Sequence, residues 1–242
     1  MIKISSNNDY IINDDSEILF DVDNINVYDF TNDKNIIINV SEKSNVNYFI
    51  INSSSSKRTF NVDGNLNVLE ISLEETNEEL KVILNNDNAN LSVKNLAISN
   101  GIKQFFIQNA IHNEKQTFSN VENVGIAFDG GNVTFDTTGK IEKGKSKSKC
   151  SQLSRGIVMD NKSTITAKPI LLIDEYDCFA NHGASIGKMS DEDLFYLMSR
   201  GLTKDEAFLL ILQGMVRPFI DMIPNEKIKE EIENKVNKFI LE

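Results

Sequence analysis

Residues 66–98 read "LNVLEISLEETNEELKVILNNDNANLSVKNLAI". Three apolar runs, "LNVLEISL", "LKVILN" and "LSVKNLAI", are separated by acidic and asparagine-rich spacers. Each run is short, rich in Leu, Ile and Val, and partly alternating, the signature of a β-strand with one face turned inward. Asparagine suits the spacers because it tolerates left-handed backbone and bonds to neighbouring peptide groups.

The same pattern extends from residue 1 to about residue 175, through "NINVYDF", "NIIINV", "NYFII", "QFFIQ", "VGIAF", "VTFD", "GIVM" and "ILLID". No stretch there keeps a 3.6-residue period long enough for a helix. About a dozen short strands at fairly regular intervals fit a sandwich, a barrel or a parallel β-helix. No sequence repeat of fixed length selects the last. Proline is absent before Pro169, as expected of strands whose N–H groups serve in ladders.

After Gly187 the period changes. Ser190 is followed by Asp191, Glu192 and Asp193, an N-cap with acids in the first turn, and "LFYLMSR" then runs to Gly201. Thr203 to Glu206 forms a capping box, Ala207, Leu210, Ile211 and Met215 mark one face of a second helix, and that helix is expected to end before Pro218. A third helix follows Pro224, with Ile228, Ile232, Val236 and Phe239 on one stripe and a Glu231/Lys235 pair on the surface. The chain therefore divides into a β core over 1–187 and a helical region over 188–242.

Composition narrows the function. The 242 residues are 40% hydrophobic and 25% charged, with no apolar run as long as a membrane span. A net charge of −11 argues against sequence-independent nucleic-acid binding, which needs cations to neutralise phosphates. The basic stretch "KIEKGKSKSK", Lys140 to Lys149, reads as a solvated loop. The N-terminus shows no export or organelle signal, so the cytoplasm is the expected location. Two cysteines are too few for a disulfide framework, and two cysteines with two histidines leave little for a self-contained zinc site, which usually needs four N or S ligands.

"GKIEKGKS", Gly139 to Ser146, matches the spacing of a phosphate-binding P-loop, and "LLIDE" resembles the acidic strand that accompanies one. A P-loop ATPase using Lys145, Ser146, Asp174 and Glu175 is thus an alternative. Against it, the cradle needs a helix opening at Lys-Ser, and Glu142 would set a carboxylate among phosphates. The strands-then-helices order is also not that of a doubly wound α/β fold.

"SQLSRGIVMD" (151–160) and "AKPILLIDEYDCFANHGASIGKMSDEDLFYLMSRGLTKDEAFLLILQG" (167–214) resemble the C-terminal core of the SufB/SufD family, scaffold proteins of the SUF iron–sulfur cluster assembly system. The resemblance covers about a third of the chain. It implies a right-handed parallel β-helix followed by a helical region that docks an ABC-type ATPase subunit, SufC, here through Asp191, Leu194, Phe195, Tyr196, Ser199, Arg200 and Glu206. It also implies pairing of β-helix cores, with a SufB-like subunit or a second copy. The family role is assembly without hydrolysis by this subunit and without a nucleotide of its own. A transient iron–sulfur cluster or iron is the expected cargo.

The resemblance places the sulfur-accepting cysteine of SufB-type members near Ser154, and their Glu after the histidine at Gly183. Both departures are SufD-like. Cluster-ligand candidates are His182, which matches the family histidine, Cys178, and Cys150, which lies in a Lys-rich segment expected to be exposed, where basic neighbours favour thiolate. Cys178, Ala180 and His182 would share a face if that segment is extended. His112 matches nothing in the family and reads as a surface loop residue. A β-helix interaction protein that binds no cofactor is the remaining alternative.

Overall fold

In the computed structural model, residues 1–14, 16–51 and 55–241 are described. Residues 15, 52–54 and 242 lie outside them. The strands in chain order are β1 (Ile2–Ile4), β2 (Tyr10–Ile12), β3 (Ser16–Phe20), β4 (Ile25–Asp29), β5 (Asn35–Val40), β6 (Asn45–Ile51), β7 (Lys57–Val62) and β8 (Asn65–Ser72). They continue as β9 (Thr76–Leu84), β10 (Asn90–Asn100), β11 (Lys103–His112), β12 (Phe118–Phe128), β13 (Asn132–Ile141), β14 (Lys149–Val158), β15 (Thr164–Ile173) and β16 (Phe179–Lys188). Odd-numbered strands form one eight-stranded sheet and even-numbered strands the other. Every pairing within them is parallel. The chain therefore winds as a two-sided β-solenoid, the coil that patterning alone left among three architectures.

The coil lengthens as it winds. Ile2 pairs with Ile18 sixteen residues on, Asn45 with Asn65 twenty on, and Asn132 with Thr164 thirty-two on. Strands grow in step, from three residues in β1 to eleven in β10. A repeat whose length doubles along the chain leaves no fixed period in the sequence. The turn dipeptides Asn100-Gly101 and Asp129-Gly130, whose glycines have φ of 67° and 82°, sit at corners joining the two sheets. In another setting the same dipeptides would read as hairpins.

Alternation sorts side chains between lumen and outer face. In the first coils the lumen is apolar, with Ile18, Phe20, Ile38, Val46, Phe60, Val68 and Val82 in one cluster. Outside, asparagines stack: Asn47 Nδ2 donates to Asn26 Oδ1 at 3.1 Å and Asn67 Nδ2 to Asn47 Oδ1 at 3.1 Å. Asn61 bonds Asn39 in the same way on the other sheet, at 2.9 Å. These asparagines lie within strands and serve as ladder residues. Parallel in-register strands put identical side chains one above another, where one amide donates to the next.

Three helices follow, α1 (Asp191–Ser199), α2 (Lys204–Ile220) and α3 (Glu226–Leu241). Ser190 caps α1 and Thr203 with Glu206 forms the expected capping box on α2. The Glu231–Lys235 pair closes at 2.9 Å. Two expectations for α2 fail together. The helix runs through Pro218 to Ile220, and its buried side chains are Ala207, Leu212, Val216, Phe219 and Ile220, with Leu210 exposed. Phe219 and Ile220 continue the Leu212/Val216 stripe, so ending the helix early rotates the apparent apolar face. Burying Phe219 and Ile220, at about 1.5–3 kcal/mol each, offsets the hydrogen bond that proline removes.

Helices α2 and α3 lie against the flank of the even-strand sheet. Leu212, Val216, Phe219, Ile220, Ile232 and Val236 pack with Tyr28, Phe49, Leu69, Ile71, Leu96, Ile98 and Ile126. The stripe Ile228, Ile232, Val236 and Phe239 belongs to this contact, as its spacing predicts. Helix α1, in contrast, buries no residue.

Candidate functional site

The solenoid ends on β15 and β16, each paired on one side only. In β14, residues Cys150, Gln152, Ser154 and Gly156 face the lumen and are buried. Their register partners in β16 are Ala180, His182, Ala184 and Ile186. These four line the same face of the last strand, with no further coil to cover them. Ile170, Leu172, Phe179 and Ile186 are exposed at this end, an apolar rim around an open mouth.

His182 is exposed and lies over Gln152. Gln152 Nε2 donates to Ile170 O at 3.2 Å, while its Oε1 has no partner although it is buried. Ser154, where the resemblance puts the SufB-type cysteine, is buried and its Oγ accepts from Asn123 Nδ2 at 3.4 Å. Gly183 lies beside Leu153.

Cys178 sits in the turn one residue before β16, so strand alternation does not set it on the face of Ala180 and His182. Its Sγ donates to Glu175 O at 3.1 Å. Partial burial, then the charges of Glu175 and Asp177, push its pKa up and favour the thiol. Cys150 departs further from expectation: it is 1% exposed, and burial pushes its pKa up despite the lysines beside it. The reason is alternation, since Lys147 and Lys149 point to solvent while Ser148 and Cys150 point inward. A Cβ on Gly139 would collide with the Cys150 Sγ, so the glycine makes the space for this thiol.

His112 is likewise a lumen residue. It is 1% exposed at the end of β11, with Nδ1 2.7 Å from Thr117 Oγ1 and Nε2 2.8 Å from Ser119 Oγ. Burial lowers its pKa to about 4, which keeps the ring neutral. Among the described residues no three His, Cys, Asp or Glu side chains converge as a metal site.

The nucleotide-site residues do not form a phosphate cradle. Strand β14 opens at Lys149, and no helix begins at Lys145 or Ser146. Lys145 Nζ lies 3.8 Å from Glu114 Oε1. The Gly144 N–H, which a P-loop would aim at phosphate, donates to Glu175 Oε2 at 2.7 Å. Glu175 also accepts from the N–H groups of Tyr176 and Asp177, and these bonds hold its carboxyl below the usual range. Together with the Lys147 N–H to Asp177 O bond, they tie two successive corner loops together. Asp174 N donates to Ile141 O at 2.9 Å in the same corner.

Asp191, Phe195, Tyr196 and Ser199, four of the expected docking residues, are exposed on α1. Phe195 is 74% and Tyr196 57% exposed, with Met198 beside them. The Arg200 guanidinium lies 5.2 Å from the Tyr196 ring centre, and Ser199 Oγ donates to Tyr196 O. Asp191 stands in the first turn and Leu194 is half-buried. Glu206 is spent on the Thr203 cap of α2.

A cluster that sequence reading passed over lies deeper in the lumen. Arg58 Nε donates to Asp29 Oδ2 at 2.7 Å, Arg58 Nη1 pairs with Glu78 Oε2, and Tyr48 Oη donates to Asp29 Oδ2 at 2.5 Å. The signal was an arginine in "RTFNV" on the alternation of Phe60 and Val62, an inward position.

In class the chain is a parallel β-solenoid with an uncovered last coil, followed by a helix that buries no residue. Residues 21–215 match the family model described as "SUF system FeS cluster assembly, SufBD core domain". The chain belongs to that family of iron–sulfur cluster assembly proteins. It is 36% identical over 133 residues to iron–sulfur cluster assembly protein SufD of Bacillus subtilis (strain 168), a match covering 55% of this chain and 30% of the relative. It is 35% identical over 136 residues to SufB of the same organism, covering 54% of this chain and 28% of the relative. The chain thus matches under a third of the length of these curated relatives. Among the described residues no helix is long and apolar enough to cross a membrane.

Proposed function

We propose that the chain acts as a SufD-like scaffold subunit of a cytoplasmic SUF complex, with a SufC-like ABC ATPase docked on α1. A SufB-like subunit, or a second copy of the chain, would cover the open mouth. The observation that carries this reading is the uncovered last coil, which offers His182 and an apolar rim to a partner. The SufD-like assignment is supported by serine at position 154, since a hydroxyl cannot carry a persulfide. An iron–sulfur cluster or iron is cargo in this reading. Of the ligand candidates, His182 and Cys178 lie in the uncovered last coil and Cys150 is buried one strand beneath it; further ligands would come from the partner, and Cys178 would have to lose its proton on binding.

The face of α1 gives the test. Replacing Phe195 and Tyr196 by serine is expected to weaken co-purification with an ABC-type ATPase subunit at least tenfold, because exposed aromatics at an interface centre carry much of its energy. Undiminished capture would reject docking through α1. Removing the helices altogether would be a poorer test, because α2 and α3 cover an apolar sheet face. Anaerobic reconstitution with iron and sulfide, read by absorbance, separates the scaffold from a cofactor-free interaction protein. A cluster signal that His182→Ala abolishes is expected of the scaffold assembled with its partner, and no signal in either protein favours the alternative.

A further inference from the structure

Glu70 lies on the lumen face of β8, in register with Ile50 of β6 and Asn95 of β10, and is 2% exposed. Its Oε1 has no hydrogen-bond partner, and neither do Asn95 Oδ1 and Nδ2 or Ser72 Oγ beside it. The ionisable groups that bear on it are Asp29 from β4, Arg58 from β7 and Glu78 from β9, with Tyr48 of β6 bonded to Asp29. Arg58 supplies the one cation of this set, and its Nε, Nη1 and Nη2 are directed to Asp29, Glu78 and Thr31. One guanidinium shared by two carboxylates leaves a net negative charge. A third carboxylate there would have no counter-charge left to it and is cut off from bulk solvent.

We infer that Glu70 is held as a neutral carboxylic acid inside the solenoid and acts as a proton-operated latch, whose ionisation loosens the coils around the Asp29–Arg58–Glu78 cluster. Its chain neighbours Leu69 and Ile71 point outward into the seat of α2 and α3, so loosening β8 reaches the helical region. Burial, and then the charge of Glu78, raise the Glu70 pKa from 4.5 to about 8. Between those values the folded chain holds a proton that the unfolded chain has released. Stability contributed at this site therefore falls as pH rises, by up to about tenfold in the folding constant per pH unit, and levels off above the folded pKa.

Urea unfolding of the wild type and Glu70→Gln from pH 5 to pH 9 tests the latch. The ratio of their folding constants should shift in favour of the variant by about seventyfold between pH 5.5 and pH 7.5. Infrared spectroscopy of the wild type supplies a second reading that does not depend on the variant folding: a protonated-carboxyl band should persist at pH 7 and fade near pH 8. Parallel stability curves, or no such band at pH 7, would overturn the proposal.

Discussion

Replacing Arg58 by methionine is expected to destabilise the solenoid by about 3–5 kcal/mol, measured as a drop in urea midpoint with little change in slope. The side chain is fully buried between Asp29 and Glu78, themselves 0% and 5% exposed. Removing it strands two carboxylates in the lumen with no route to water. They would then protonate or open the coil. Asp29 has further ties, accepting from Thr31 N at 2.9 Å and Thr31 Oγ1 at 2.6 Å, and Ser56 N donates to Glu78 Oε1 at 3.2 Å. The triple variant Arg58→Met, Asp29→Asn, Glu78→Gln should recover part of the loss, because no buried charge remains unmatched. A triple variant as unstable as the single one would show that shape, rather than charge, governs this site.

The second large effect is expected at Leu212. It is fully buried between α2 and the even-strand sheet, and Leu212→Ala should cost about 2–5 kcal/mol. The loss is expected to be local as well as global, since this contact seats the helical region on the sheet. Amide exchange should accelerate first in α2 and α3 and leave β9 and β11, on the opposite sheet, nearly unchanged. Uniform acceleration throughout the chain would mean that helices and solenoid unfold as one unit.

Much of the architecture was legible because its cause is local. Runs such as "LKVILN" alternate, and caps such as Ser190 and Thr203 lie beside the helices they start. Two short strands near the N-terminal end, β2 and β3, are three and five residues long and carry too little pattern to register separately, whereas "IKIS" does mark β1. The coil itself was hidden by its changing length, and was reached through resemblance in the last third of the chain. Composition misled at Cys150 and His112, where basic or polar neighbours suggested exposure. Periodicity would have placed both inside: Gln104, Phe106, Gln108, Ala110 and His112 follow one another at alternate positions, as do Ser148, Cys150, Gln152 and Ser154. At the mouth, the sequence indicated His182 but not its setting. That Cys178 falls in the turn before β16 depends on where the strand starts, a boundary that patterning locates to within a few residues.

The widening of the coil limits how copies of this chain can associate end to end. A filament needs the trailing end of one molecule to seat on the leading end of the next, a head-to-tail contact that does not close on itself. Here a ten-residue β16 would meet a three-residue β2, and a ten-residue β15 would meet a three-residue β1, leaving most of each wide strand's peptide groups without partners. Two wide ends are equal in size, and a twofold pairing between them closes. Among the described strands, the mismatch between the short β1 and β2 and the long β15 and β16 favours a closed pairing of wide ends over an open stack.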